Sequence, residues 1–198
     1  MDRLKPEVAA RRRANHPIHP LFLNRWSPRA MSGEPISEAE LMTLFEAARW
    51  APSSFNAQPW RFVYARRDTA PWARLFDLLV PANQAWCKDA AALLVACSRT
   101  TFEHNGKPNP SHAYDTGAAW MSLSLQGEVM GLVVHGMAGF DRERAARDLG
   151  VPPGHEVLAM AAIGRPGDPA RLPEPVRAKE TPSDRKPVSA WIVEGRFA

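Results

Sequence analysis

Residues 47–60 read Ala47-Ala48-Arg49-Trp50-Ala51-Pro52-Ser53-Ser54-Phe55-Asn56-Ala57-Gln58-Pro59-Trp60. The first part closes a helix. Ser37 followed by Glu40 makes a capping box, and Leu41, Leu44, Phe45 and Ala48 then recur at helical spacing, so a helix is predicted over 38–51, ended by Pro52. The loop that follows offers two hydroxyls, two amides and exposed backbone groups, held between two prolines. Such groups suit the hydrogen-bonding edge of a planar heterocycle, and the same composition also suits a rigid, hydrogen-bonded turn.

Working outward, 61–65 reads as a strand, 72–79 as a helical stretch that Pro81 breaks, and 91–98 as a buried strand. A long segment, 113–130, is rich in Ala, Met, Leu and Gln, and Gly117, Ala118 and Ala119 would admit a close helix neighbour, which places it centrally. A weak strand over 132–135 leads to a Gly-rich turn, Asp141 caps a helix that stops at Gly150, and 156–163 is the last core strand. Helices and strands in this order predict an α+β fold with helices on both sides of one sheet.

Both ends are of different character. Residues 1–24 are polar and punctuated by His16-Pro17 and His19-Pro20, which predicts an extended N-terminal arm, with a single domain over 25–198. Residues 164–187 hold six prolines and ten charged side chains, too polar for a core of their own, yet 188–193 is apolar again. The tail is therefore expected to dock, on another subunit or elsewhere.

Bulk properties narrow the function. With 198 residues, 45% of them hydrophobic, the chain can bury a sizeable core without disulfides, and Cys87 and Cys97 read as free thiols of a reducing compartment. The longest apolar run, Ala90 to Cys97, falls far short of the roughly 20 residues that cross a bilayer, so a soluble, cytoplasmic protein with no membrane partner is expected. The net charge of +4 comes from basic residues scattered among 21 acids without a nucleic-acid motif, and small phosphorylated ligands account for it equally well. A basic nucleic-acid-binding protein using Arg11 to Arg13 would need a steep salt dependence of binding. There is no zinc-type cluster, dinucleotide fingerprint, P-loop or nucleophile elbow, and the six dispersed histidines read as solvated loop residues.

Two basic clusters remain. Arg25-Trp26-Ser27-Pro28-Arg29 places two guanidinium forks and a hydroxyl within five residues, and Arg185-Lys186 could meet the same anion from far away in the chain. Taken singly, each also fits a solvated charged surface.

The run from Ala47 through Pro52-Ser53-Ser54-Phe55-Asn56-Ala57-Gln58-Pro59-Trp60 strongly resembles the signature of the FMN-dependent nitroreductase family. The resemblance extends over most of the chain beyond the arm, through Arg25-x-Ser27-x-Arg29, Asn83, Asp115-Thr116-Gly117, Gly139-Phe140-Asp141 and Ile163-Gly164. It implies a mostly antiparallel central sheet flanked by helices, in a domain-swapped homodimer whose C-terminal tail, from about 165 to 198, wraps the partner. It also implies FMN as cofactor, NADH or NADPH as co-substrate, no catalytic side chain, and reduction of nitroaromatics, quinones or free flavin by a ping-pong hydride mechanism. A flavin-binding storage or sensor module without turnover would keep the same residues.

Position by position, the resemblance implies Arg25 and Ser27, with the intervening Trp26, at the FMN phosphate and Arg29 toward the flavin pyrimidine. Pro52, Ser53, Ser54 and Asn56 would touch the flavin of the neighbouring subunit. Asn83 would bond the ring edge, Met137, Ala138 and Gly139 would run over the ring, and Arg185 with Lys186 would close on the phosphate. Two departures stand out: Trp86 where some members carry a lysine near the flavin N1 and C2 oxygen, and Ala138 where some carry a glutamate. The first shifts charge stabilisation onto Arg29; the second leaves the choice between NADH and NADPH open.

Overall fold

A computed structural model describes residues 3–196. Two short helices open the chain, α1 (Pro6–Ala9) and α2 (Pro20–Asn24), each with proline in its first turn. The arm is thus not extended throughout. Proline lacks only an N–H that a first turn leaves unpaired, so Pro6 and Pro20 start helices instead of preventing them. Val8 is fully buried, and Asn24 accepts from the Lys5 N–H (2.9 Å) while donating to the Arg3 carbonyl (2.9 Å).

Helix α3 (Glu38–Arg49) carries the expected capping box: the Glu40 N–H donates to Ser37 Oγ (3.1 Å) and the Ser37 N–H to Glu40 Oε2 (2.8 Å). Strand β1 (Trp60–Arg66) follows, then α4 (Trp72–Phe76) and α5 (Pro81–Cys87). Here Pro81 does not end a pattern; it is the first residue of α5. Next come β2 (Ala92–Arg99), the long α6 (His112–Val129), β3 (Val133–Met137), α7 (Arg142–Asp148), β4 (His155–Gly164) and α8 (Glu174–Arg177). Asp141 caps α7 as expected, accepting from the Arg144 N–H at 2.9 Å.

The four strands form one antiparallel sheet in the order β1-β2-β4-β3. In the central β2, Leu93, Val95 and Cys97 face a cluster with Leu75, Trp86, Cys87, Met137 and Met160, whereas Ala92 and Leu94 face Leu41, Leu44, Ala119, Leu123 and Ile163. Helices therefore cover both faces, which is why β2 reads as a continuous apolar run and not as an alternation. Both cysteines are free and buried.

Helix α6 is central, but Gly117 has no heavy atom near its missing Cβ. The close approach is at Gly127, where a Cβ would stand 2.5 Å from Val134 Cγ2 of β3. Among the described residues no helix is long and apolar enough to cross a membrane.

Candidate functional site

Three groups of residues carry the site. The first is the loop after α3. Phe55, Asn56 and Gln58 adopt positive φ (51°, 52° and 46°), a region that non-glycine residues enter at a cost of roughly 1–3 kcal/mol each. The surroundings over-determine the shape. The Ser54 N–H donates to Asp115 Oδ2 (3.0 Å) at the start of α6, and the Gln58 N–H donates to Ser53 Oγ (3.0 Å). Asp115 is 4% exposed and takes a further bond from Ser111 Oγ (3.0 Å). Pro52 and Asn56 are exposed, Ser53 and Ser54 half-buried. Phe55, 82% exposed, meets Phe102 edge-on with ring centroids 5.7 Å apart.

The second group is a cluster of guanidiniums. Arg25 donates to Ser27 Oγ at 3.3 Å, and Arg185 approaches it from the far end of the chain. A third member comes from the arm: Arg12, 8% exposed, donates to the carbonyls of Leu23 (2.6 Å), Arg25 (2.9 Å) and Ser183 (2.8 Å). Burial first, and then repulsion from Arg185, holds both Arg12 and Arg25 below the ordinary guanidinium value. Among the described residues no carboxylate is in ion-pair contact with any of the three. The buried Nε of Arg25 has no hydrogen-bond partner. Three guanidiniums without an ion-paired carboxylate, beside a buried free donor, are chemistry that suits an anion. The triple arginine 11–13 was the visible trace of Arg12 in the sequence; its burial was not visible there.

The third group lies at the end of β3. Asn83 Nδ2 donates to the Gly139 carbonyl (2.9 Å), and a Cβ on Gly139 would stand 2.8 Å from that nitrogen, so only glycine lets α5 and this turn approach so closely. Met137 and Ala138 line an apolar cavity of about 470 Å³ between the sheet and the first half of α6, floored by small residues such as Ala96, Gly136 and Ala159. The Arg29 N–H and the Ala30 N–H both donate to Glu180 Oε1 (2.7 and 2.8 Å), and the Arg29 guanidinium lies 3.9 Å from Glu180 Oε2. The cation expected to act alone thus has a buried carboxylate beside it.

Trp86 is 3% exposed and packs on His135, with ring centroids 4.5 Å apart. His135 corrects the expectation of solvated histidines. It points inward from β3, 8% exposed, its Nδ1 2.8 Å from the Pro28 carbonyl, so that nitrogen carries the proton. Burial, with lesser contributions from Arg29 and Arg25, pushes its pKa down to about 4 against the opposing hydrogen bond. The neutral ring ties the Arg25–Arg29 segment to β3. Its signal was present in Val133-Val134-His135-Gly136-Met137, where a strand's alternation puts His135 on the face of Val133 and Met137.

The chain therefore brings Arg25, Ser27 and Arg29 to β3, Asn83 to Gly139, and Arg185 to Arg25. Lys186 lies beside Arg185 in the lining of a cavity between arm and tail. Trp26 instead lines a different cavity, with Lys5, Glu128 and Glu180. The loop 52–56 stands at the same end of α6 as the Met137–Ala138 cavity, which Thr116 and Gly117 line, but apart from the arginines. It is bonded to Asp115, while Arg25 feels Glu128, and thirteen helical positions on α6 separate the two by ~20 Å.

An antiparallel sheet covered on both faces by helices thus carries a cluster of arginines beside one strand end. The family model described as Nitroreductase family matches residues 23–165, and the chain belongs to that family. It is 31% identical over 148 residues to an uncharacterized 15.4 kDa protein of Mycolicibacterium smegmatis, covering 69% of this chain and 97% of that protein. It is 28% identical over 178 residues to an NADH dehydrogenase of Thermus thermophilus, covering 74% of this chain and 85% of that enzyme. Among solved structures, an oxidoreductase containing FMN superimposes with a TM-score of 0.91 at 44% identity, covering 94% of this chain and 96% of the other. An FMN-dependent nitroreductase of Clostridium difficile R20291 shares the fold at 20% identity and TM-score 0.60, covering 73% and 84%.

Proposed function

We propose that the protein is an FMN-dependent oxidoreductase that takes hydride from NADH or NADPH and passes it to small electron-poor acceptors such as nitroaromatics, quinones or free flavin, in alternate half-reactions. The observation that carries this reading is the guanidinium cluster with its unpartnered Arg25 Nε, which fits the phosphate of FMN. The Asn83–Gly139 cradle and the apolar, small-residue floor beside Met137 and Ala138 suit a flavin ring. Bound FMN supplies the two-electron hydride chemistry, so no side chain has to act as nucleophile or metal ligand. Arg25, Ser27, Arg185 and Lys186 hold the phosphate, Asn83 orients the ring edge, and Arg29 places a cation, tempered by Glu180, at the pyrimidine end.

The active form is a homodimer. Pro52, Ser53, Ser54 and Asn56 lie ~20 Å along α6 from the arginines of their own chain, a span that a two-fold axis across α6 closes by offering each loop to the other subunit's flavin. Tyr114 (83% exposed), Met121 (36%) and Val129 (49%) leave one apolar stripe of α6 without cover, as such an interface requires. Ile192 and Val193 leave exposed apolar surface on the tail, which docking on the partner would cover.

The test is direct. Purified protein should be yellow, should release FMN on heat denaturation, and should be bleached by NADH or NADPH in the absence of oxygen. Bound FMN that neither nucleotide reduces would leave a flavin carrier and overturn the enzymatic reading.

A further inference from the structure

The N-terminal arm and the C-terminal tail lie outside the stretch that the family model matches, and between them they enclose a cavity of about 710 Å³. That volume is within the ~300–1,000 Å³ usual for small-molecule sites. Its wall is basic: Arg12, Arg13 and His16 come from the arm, Arg185 and Lys186 from the tail, and Asp184 is the one acid in the lining. The two segments are clasped, through Arg12 Nε to the Ser183 carbonyl (2.8 Å) and the Val188 N–H to Asn15 Oδ1 (3.1 Å). Two aromatic rings, Phe22 (51% exposed) and Trp191 (65% exposed), stand in the same lining without a covering partner.

We propose that this cavity receives the adenosine 2′-phosphate end of NADPH, which makes NADPH and not NADH the preferred reductant. The inference rests on the flavin reading above. In that reading the FMN phosphate is held by Arg25 and Ser27, which do not line this cavity, together with Arg185 and Lys186, which do, so the cavity adjoins that phosphate. One phosphate dianion does not exhaust the positive charge gathered here, and Arg13 has no part in holding it. A second phosphomonoester, carrying about −1.5 to −2 at neutral pH, suits Arg12 and Arg13, the two arm cations that the flavin reading leaves unassigned, and guanidinium forks fit its oxygens. NADH has no such group on its adenosine. The exposed rings offer flat apolar surface to adenine, as base-binding sites do. Reach is consistent as well. A dinucleotide whose nicotinamide stacks on the flavin carries two riboses and a pyrophosphate before its adenine, a longer tail than the ribityl phosphate of FMN, so its far end can pass beyond the flavin phosphate into the space between arm and tail.

The test uses holoprotein saturated with FMN, titrated calorimetrically with adenosine 2′,5′-bisphosphate and, in parallel, with 5′-AMP, while free flavin is followed by fluorescence. The bisphosphate should bind at least tenfold more tightly than AMP without releasing flavin, and KM for NADPH should lie at least tenfold below that for NADH. Arg13→Ser should weaken the bisphosphate about tenfold or more, the loss expected for one charge-assisted contact, and should narrow the NADPH preference, with Arg13→Lys restoring part of both. Arg13 is exposed, so a melting curve coincident with that of the parent protein verifies folding. Release of flavin by the bisphosphate would identify the cavity as the seat of the FMN phosphate itself and overturn the proposal. Equal affinity for the two adenylates, or an Arg13→Ser protein that binds the bisphosphate unchanged, would also overturn it. In those cases oxidation of either nicotinamide cofactor would leave the oxidoreductase reading intact, whereas failure to oxidise both would overturn that reading and the NADPH assignment with it.

Discussion

Arg25 and Arg185 lie far apart in sequence and are proposed to hold one phosphate. A charge-assisted hydrogen bond is worth ~1.5 to 3 kcal/mol, so Arg25→Ala or Arg185→Ala should each weaken FMN binding by roughly 10- to 150-fold while leaving riboflavin, which lacks the phosphate, nearly unaffected. Because both would hold the same group, the double substitution should fall short of the sum, and equilibrium titration with FMN and riboflavin checks both points. The Arg29–Glu180 pair makes an electronic prediction. Arg29→Gln should lower the two-electron potential of bound FMN and Glu180→Gln should raise it, each by about tens of millivolts, where 30 mV corresponds to about 1.4 kcal/mol. Potentiometry at saturating FMN reads this, and an unchanged potential in both variants would remove the pair from the ring. His135 predicts a pH effect on stability. Its folded pKa is about 4, whereas the unfolded imidazole titrates near 6.5, so between those values the unfolded chain binds the extra proton. Stability should therefore decline as pH falls from about 6.5 toward 4, by up to ~3 kcal/mol, and His135→Gln should flatten that part of the profile measured by urea denaturation.

At the scale of elements, the loop after α3 is a strained segment held by its neighbour. Asp115→Ala removes the acceptor of the Ser54 N–H and of Ser111 Oγ together. Ser111 Oγ keeps Asn109 Oδ1 as an acceptor (2.9 Å) whereas the half-buried Ser54 N–H loses its partner, a cost of about 1 kcal/mol that should appear as a lower melting temperature and as faster hydrogen exchange confined to residues 53–58 and the start of α6. Protection that stays uniform across that loop would mean its shape is set within itself. The other tight junction is α6 on β3. Gly127→Ala forces Val134 to shift, an overpacking that should destabilise by ~1–3 kcal/mol, whereas Gly117→Ala, in open space on the same helix, should leave stability equal or higher.

At the scale of the whole molecule, loop 52–56 and the arginines stand at opposite ends of α6, and the proposed homodimer would bring one subunit's loop to the other's arginines. Met121→Asp places a charge on the uncovered stripe without touching any residue proposed to hold FMN. Sedimentation should show a monomer, and FMN should be lost with the interface, at protein concentrations where the parent is a yellow dimer. A flavin-bound monomer of this variant would show that loop 52–56 serves its own subunit. The arm and tail are tied together beside Arg25, because Arg12 bonds the carbonyls of Leu23, Arg25 and Ser183 at once.

Local rules were enough for much of this. The capping box at Ser37, the N-cap at Asp141 and the apolar run of β2 each depend on residues a few positions apart, so their elements were legible with boundaries off by only a few residues. The family signature around Pro52 to Trp60 was legible for the same reason, since it is one contiguous stretch. Pro81 shows where local reading stops: proline both ends and begins helices, and only the packing of Trp86 and Cys87 into the core decides which. His135, Arg12 and Glu180 went unread because their roles lie in partners 107, 171 and 151 positions away, and pairings at such distance leave no period in a sequence. By itself, then, the sequence determined the order of elements, the two-sided sheet and the residue types of an anion-binding site. Tertiary structure alone decided which cations come together, which carboxylate lies beside Arg29, and that loop 52–56 stands at the far end of α6 from the arginines, because burial and through-space electrostatics act between neighbours in space and not along the chain.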